Sequence, residues 1–477
     1  MTSLWFGGPS LRAALCVLIG LGALGCSSFT SERPRLVLIS PHRDELREEV
    51  ALAFQDWIAS RADFFQAKGV DVSRGVEIVW QDIGGGSTQI AKYLESNPGS
   101  TGIDVLFGGG TEPHQRLADK GLLEPLQLPD EILARIPREL NGVPLRDPHN
   151  RWFGPMLSSF GILYNRRVLN RIGQSAPGED TAAETTKKGL KGWAYLASPG
   201  MRTWVGAGDP RITGSLHMVY EIILQSHGWE EGFRILLRLG ANTHRFIRDS
   251  GSLTREVLNG ECAAAGNLDA NALGAISRDP NGMGFFLPPG ETIINPDSVS
   301  VLKGAPHPDL ARAFVEFTLS DAGQQLFLLQ PGEPGGPRRF PIGRMSVVPE
   351  LYERFPPEKR AVGNVNPFTV VNTIRYDSDL GFSRFNALND LFGAVIMDAQ
   401  PDLAAAWAAV EQCSLSAKEK TDLENELFRP PCTEAELMEH ARHIVADGPR
   451  VRNASINRWG EQARQRYGHV LRRARGE

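Results

Sequence analysis

Three turns in this chain set glycine backbone beside hydroxyl groups. Gly84 to Thr88 reads Gly-Gly-Gly-Ser-Thr, Gly108 to Thr111 reads Gly-Gly-Gly-Thr, and Thr213 to Ser215 reads Thr-Gly-Ser. Glycine lets a ligand approach the main-chain N–H groups closely, and the hydroxyl caps the next helix or donates to the ligand. Where such a turn opens a helix, free N–H groups and the positive end of the dipole suit an oxyanion or a polar solute. Each turn alone is ordinary connection chemistry; three of them on two halves of a chain form a binding pattern. Catalytic signatures are missing from the sequence: no Gly-x-Ser-x-Gly elbow, no phosphate loop ending in Lys-Ser/Thr, no His-Glu-x-x-His. His440 and His443, three apart beside Glu439, lack a third ligand at a suitable spacing and read as surface histidines. His42, His114 and His149 are scattered; His114, next to Glu112 behind a glycine turn, is the one placed to touch a metal or ligand. No enzyme, cofactor or resident metal is expected.

These turns need strands and helices to position them. Arg35 to Ser40 is an apolar run of the kind found in a buried parallel strand, and Leu46, Val50, Ala53, Phe54 and Trp57 then mark one face of a helix. Val76–Gln81 and Ile103–Phe107 are two more strands, each running into a glycine turn and a helix. Strand, turn and helix repeated in this way predict an α/β lobe with mixed, mostly parallel sheets. A second lobe of the same kind starts near Trp152, with a strand at Thr203–Ala207 and a helix over His217–Gln225; a further strand at Ser298–Lys303 and a helix over Pro308–Leu319 come after it. Gln174–Lys191 is polar and reads as an exposed insertion. From about Arg344 the chain is mainly helical, with a capping box at Thr433-Glu-Ala-Glu436. The arginines of its tail (Arg450, Arg452, Arg458, Arg464, Arg466, Arg472, Arg473, Arg475) suit a solvated helix face, or anionic lipid or a partner.

The chain has 477 residues, 41% hydrophobic and 22% charged, with a net charge of −5 that gives no sign of a nucleic-acid partner. Arg12 followed by the apolar run Ala13–Gly25 has the form of an export signal, about 13 residues long where a bilayer span takes about 20. Ala23-Leu-Gly-Cys26 resembles the bacterial lipobox, in which the signal is cut before a cysteine that then carries acyl chains. Lipidation is therefore expected on Cys26. Ser27 after it leaves inner against outer membrane open. No later stretch reaches the roughly 18 uninterrupted apolar residues of a spanning helix. Of the five cysteines, Cys16 leaves with the signal, Cys413 and Cys432 flank a helical segment where an oxidising envelope permits a disulfide, and Cys262 is left as a buried apolar residue.

The order of segments resembles the extracellular solute-binding proteins of ABC importers, in the branch of ferric-ion, thiamine and related receptors. The matching pieces include Ser40-Pro-His-Arg-Asp-Glu45, Asp104-Val-Leu-Phe-Gly-Gly-Gly110, Gly121-Leu-Leu-Glu-Pro-Leu126, Phe160-Gly-Ile-Leu-Tyr-Asn165, Asp209-Pro-Arg-Ile-Thr-Gly-Ser215, Pro296-Asp-Ser-Val299 and Ala311-Arg-Ala-Phe-Val-Glu-Phe317. The resemblance spans Arg35 to Gln330 and implies a two-lobed clamp of the type II periplasmic-binding-protein kind, closing over one solute. It places ligand contacts at Ser87, Thr88, Gly110 and Thr111 in the first lobe, and at Ser158, Ser159, Thr213, Gly214 and Ser215 in the second, with Asn267 and Asp269 beside the return crossing. Implied domains are a signal at 1–25, a lipidated spacer at 26–34, lobe one at 35–145 with 298–343, lobe two at 146–297, and a helical region at 344–477 packing on lobe one. Implied partners are a small polar or anionic solute or metal complex and an ABC permease, with the protein monomeric, anchored to the bilayer by its acyl chains and facing the periplasm. The alternative is a sensing or scaffolding lipoprotein built on the same clamp. One departure bears on iron: ferric receptors of this kind use adjacent tyrosines, and none of the seven tyrosines here has a tyrosine neighbour in sequence.

Overall fold

The computed structural model describes residues 33–99, 101–178, 192–369, 373–447 and 449–477. The expected signal, Cys26 and most of the Gln174–Lys191 insertion lie outside those residues. Alternation along the first strand, Arg35–Ile39 (β1), sets the layers. Leu36 and Leu38 join one core with Phe54 and Phe314, whereas Val37 and Ile39 join another with Ile90 and Leu117, as the two-residue period of a strand covered on both faces requires. Glu77–Gln81 (β2) and Val105–Phe107 (β3) pair with β1 in parallel, Leu38 lying opposite Trp80 and Val105. Helices Asp44–Ala59 (α1), Ser87–Ser96 (α2) and Thr111–Asp119 (α3) follow the three strands in turn.

The spine of the molecule is Phe153–Asn165 (β4), 13 residues that are all buried. Beyond it come Val205–Gly208 (β5), Gly214–Asn242 (α4), Thr243–Ile247 (β6), Ser250–Asn259 (α5), Ala264–Leu268 (β7), Asp269–Arg278 (α6) and Met283–Phe286 (β8). The chain then returns through Ile294–Val301 (β9), Pro308–Leu319 (α7) and the short Met345–Ser346 (β10). Ten strands form one sheet in the order β2-β1-β3-β9-β4-β7-β5-β6, with β8 and β10 also paired to β4. Up to Ser159 the partner of β4 is β9; from Phe160 it is β7. Both lobes therefore hang on a single strand, and the chain passes between them at Ser158–Phe160 and again near Thr292, whose Oγ1 donates to Phe160 O at 2.6 Å.

The remaining chain is helical: Ser378–Phe392 (α8), Gln400–Gln412 (α9), Ala417–Leu427 (α10), Glu434–Asp447 (α11) and Pro449–Arg475 (α12). Its expected seat was lobe one, but the structure lays these helices on lobe two. Phe392, Val395, Leu403, Trp407 and Tyr467 share a core with Trp193, Ile222, Phe233 and Leu237. The cause lies in α4, 29 residues long with a break at Gly228, which buries apolar side chains around most of its girth. One side covers the sheet, and the other needs a second layer. The chain from Met345 to Phe368, with Val347, Leu351, Tyr352 and Val362, joins or packs on the core of lobe one instead. The Thr433–Glu436 capping box forms, with Glu436 N on Thr433 Oγ1 at 3.2 Å and Thr433 N on the Glu436 carboxylate at 2.7 Å. The Arg-rich α12 buries Trp459, Ala463, Tyr467 and Val470 and sends Arg452 to both oxygens of Asp390 at 2.6 Å. The expected Cys413–Cys432 disulfide is not made. Both thiols are free: Cys413, at the end of α9, points its Sγ back to Val410 O at 3.1 Å, and burial pushes the Cys432 thiol up to about 12. Among the described residues no helix is long and apolar enough to cross a membrane.

Candidate functional site

The three glycine turns meet. Ser87 opens α2, Thr111 opens α3 and Gly214 opens α4, and all three helix ends face a cleft of about 950 Å³ between the lobes. The approach is close enough for Gly214 N to donate to Ser87 Oγ across the cleft at 3.2 Å. Gly86 has to be glycine here, because a Cβ on it would come within 2.9 Å of Thr213 Cβ. Gly109, at φ +109°, packs so tightly on Ser87 that a Cβ would fall 2.7 Å from the serine Cβ.

Of the residues expected to touch a ligand, Ser87, Gly110, Thr111, Ser158, Thr213, Gly214 and Ser215 line this cleft. Four do not. Thr88 is fully buried inside α2. Ser159 and Asp269 satisfy each other, the serine N and Oγ donating to Asp269 Oδ2 at 2.8 and 2.9 Å, which ties β4 to the start of α6. Asn267 donates to Thr254 Oγ1 at 2.9 Å and accepts from Asn271 at 3.0 Å, holding α5 to α6.

The ionic centre of the cleft lies elsewhere in the sequence. Arg344, 6% exposed, places one guanidinium nitrogen 3.0 Å from Asp297 Oδ2 and another on Ser158 Oγ. Its Nε is buried with no partner among the described residues. Asp297 accepts from Gly109 N at 2.6 Å and Gly110 N at 3.4 Å, so the α3 turn is pinned to β9. Burial works to raise the Asp297 carboxyl; His42, Arg344 and the two glycine N–H groups outweigh it and hold the carboxyl below its usual range. His42 sits 3.7 Å from Asp297 Oδ2, and burial pulls its pKa from 6.5 to about 4, so the ring is neutral at pH 7. Arg43 and Asn295 complete this wall. Sequence reasoning missed Arg344 and Asp297 as cleft-lining groups, although Pro296–Val299 was among the matching segments. A lone arginine in an irregular stretch gives no periodic signal.

Two further histidines, His114 and His440, are structural. His114 is fully buried, with Nδ1 on Ser300 Oγ at 2.8 Å and Nε2 on Gly108 O at 3.1 Å, bracing the second glycine turn. His440, expected at the surface, packs edge-on against Trp459 with ring centres 4.6 Å apart, and burial lowers its pKa. Among the described residues no three His, Cys, Asp or Glu side chains gather as a metal site.

A sequence model described as bacterial extracellular solute-binding protein matches residues 60–332, more than half of the chain. The chain belongs to that family. This solute-binding protein is 29% identical over 246 residues to an uncharacterised protein of Haemophilus influenzae, covering 51% of the chain and 65% of the relative. It is 26% identical over 206 residues to the phosphoglycerate transport regulatory protein PgtC of Salmonella typhimurium, covering 42% of the chain and 48% of the relative. The match thus spans about half to just under two thirds of these curated relatives. Among solved structures it is similar to the periplasmic binding protein AfuA of Actinobacillus pleuropneumoniae with fructose-6-phosphate bound (TM-score 0.54, 18% identity, 79% of this chain and 98% of that one). It is similar also to iron-bound HitA of Pseudomonas aeruginosa (TM-score 0.54, 20% identity, 76% and 99%). At these identities the likeness is one of fold: a two-lobed periplasmic binding protein.

Proposed function

We propose that this chain is the receptor of an ABC importer and that it closes over a small organic anion, with a phosphate ester as the first candidate. The observation that carries this reading is Arg344, a guanidinium almost wholly buried in the cleft with Nε unpaired, set among the N-termini of α2, α3 and α4. A buried donor without a partner is costly unless a ligand supplies one. Helix ends and arginine together favour an oxyanion with several acceptor atoms. The cleft volume of about 950 Å³ suits an organic solute, since pockets for drug-sized ligands run from roughly 300 to 1,000 Å³. A lobe-bridging solute gains contacts only in the closed state and so shifts the clamp toward it.

Acylation of Cys26 would hold this receptor beside its permease, raising the effective concentration of their encounter. The name of the PgtC relative, a phosphoglycerate transport regulatory protein, supports both the phosphate chemistry and a second role, in which the closed clamp reports solute to a membrane partner. The deciding measurement is thermal stabilisation of the purified protein by phosphate esters, phosphonates, carboxylates and ferric citrate. A ligand at about 100 times its Kd adds about 2.7 kcal/mol. A phosphate ester should give the largest shift; no shift from any anion would sink the proposal. For the anchor, Cys26→Ala should move the protein from the membrane to the soluble fraction.

A further inference from the structure

The lining of the cleft continues past residue 332, where the family match ends. Ile342 and Arg344 begin that extra wall, and the segment opening α8 continues it, with Tyr376, Ser378, Asp379, Phe382 and Phe385 among its lining residues. The segment is tied to both lobes. Tyr376 N donates to Asn141 O at 3.0 Å and Ser378 Oγ to Gly142 O at 3.0 Å, on the hairpin that precedes β4. Asp377 N donates to Gln225 Oε1 at 2.8 Å on α4, and Asp377 Oδ1 caps α8 by accepting from Leu380 N at 2.9 Å. Phe385 is buried with its ring centre 3.9 Å from that of His217, another lining residue, while Phe382 is half-buried one turn earlier. Phe160 and Met218 continue the apolar surface from lobe two. The cleft is therefore ionic around Arg344 and aromatic where α8 closes it, and an inorganic anion would leave the aromatic part unmatched.

We propose that the C-terminal segment sets specificity: the solute is a phosphate or phosphonate anion with an aromatic body, which lies against Phe382 and Phe385. This rests on the anion-receptor reading above. Rings packed on rings add contact beyond their buried area, and a pre-held wall limits the ordering cost of binding.

The test is calorimetric titration of the full chain with two probes, inorganic phosphate and phenyl phosphate. In the unaltered protein phenyl phosphate should bind at least about tenfold more tightly. Phe382→Ala should cut that ratio by about fivefold, and Phe385→Leu, which keeps apolar volume at the buried position, by less. Phe64→Ala, at an exposed site on lobe one, should leave both affinities as they were. Equal affinities for the two probes in the unaltered protein, or a ratio that survives Phe382→Ala, would overturn the inference while leaving the anion receptor standing. Binding of neither probe would overturn both.

Discussion

Arg344 and Arg384 are both more than nine-tenths buried, and each pairs with a carboxylate inside the fold. Their surroundings differ in one respect. Arg384 donates Nε and a terminal nitrogen to the two oxygens of Glu221 at 3.1 and 2.8 Å, and its other terminal nitrogen to Glu434, so its donor groups are matched within the protein. Arg344 reaches Asp297 and Ser158 but leaves Nε open beside a cleft. The first pair joins α8 to α4 and is complete; the second is incomplete and faces a space that a solute can enter. An unsaturated donor set on the cleft, rather than burial or charge, separates the arginine that holds the fold from the one we assign to the ligand; Arg360, 5% exposed, also has nitrogens unpaired among the described residues but does not line the cleft.

The largest effect that could break this contrast is on stability. Arg384→Met leaves Glu221, which is fully buried, without a cation and with only the Gln225 amide as donor, and removal of one partner of such a pair costs about 3–5 kcal/mol. Urea unfolding should show a lower midpoint at an unchanged slope. Arg344→Gln should cost the fold less, because Asp297 keeps its two glycine N–H donors, and should weaken an anionic solute by about ten- to a hundredfold, the range of a charge-assisted hydrogen bond. If Arg344→Gln destabilises as strongly as Arg384→Met while leaving solute affinity untouched, the two arginines do the same job.

Legibility of the sequence followed the same line. β1 to β3 and α7 could be read because apolar period and turn residues agree locally. β4 could not: Gly154, Pro155, Ser158, Ser159 and Gly161 interrupt its apolar run. The fold explains four of the five: Ser158 looks into the cleft, Ser159 bonds Asp269, Gly154 lets Pro296 Cβ approach to 2.3 Å of where a Cβ would stand, and Gly161 lets Phe286 O approach to 2.4 Å. Helix turns announced their place on the cleft through glycines and hydroxyls, whereas the distinction between Ser158, which lines the cleft, and Ser159, which bonds Asp269, depends on which face of a strand is open. The seat of the C-terminal helices was likewise unreadable, because an apolar face does not name its partner.

A buried histidine accompanies each arginine pair and gives a third, smaller handle. His42 near Asp297 and His217, bonded to Asn389 Oδ1 at 2.6 Å near Glu221, both have pKa values lowered from 6.5 to about 4, chiefly by burial. The unfolded chain then takes up protons between about pH 6.5 and 4 that the folded chain refuses, so stability is present above that window and is lost as pH falls through it. Either histidine replaced by Gln should flatten the acid limb of a Tm-against-pH curve. An anion bound at Arg344 favours the charged form of His42, which feels the Arg344 charge, whereas His217 feels that of Arg384. Histidine ring titrations by NMR should therefore show the His42 pKa rising with a saturating phosphate ester and the His217 pKa rising less; equal rises in both would erase the distinction between the clusters.

The smallest expected effect comes from the outer partner of Arg384. Glu434 contacts the same guanidinium as Glu221, but its side chain is 41% exposed where that of Glu221 is fully buried. Water can replace most of what Glu434 offers, and exposed ion pairs contribute about 0–1 kcal/mol. Glu434→Gln keeps an acceptor oxygen at the same place, so the loss in urea should stay below about 1 kcal/mol, while Glu221 continues to hold two of the three donor groups. A loss approaching that of Arg384→Met would mean that the pair depends on its solvent-side carboxylate. Completeness of the donor set would then be a poor guide to which buried arginine serves the fold, and the assignment of Arg344 to the solute would rest on its place in the cleft alone.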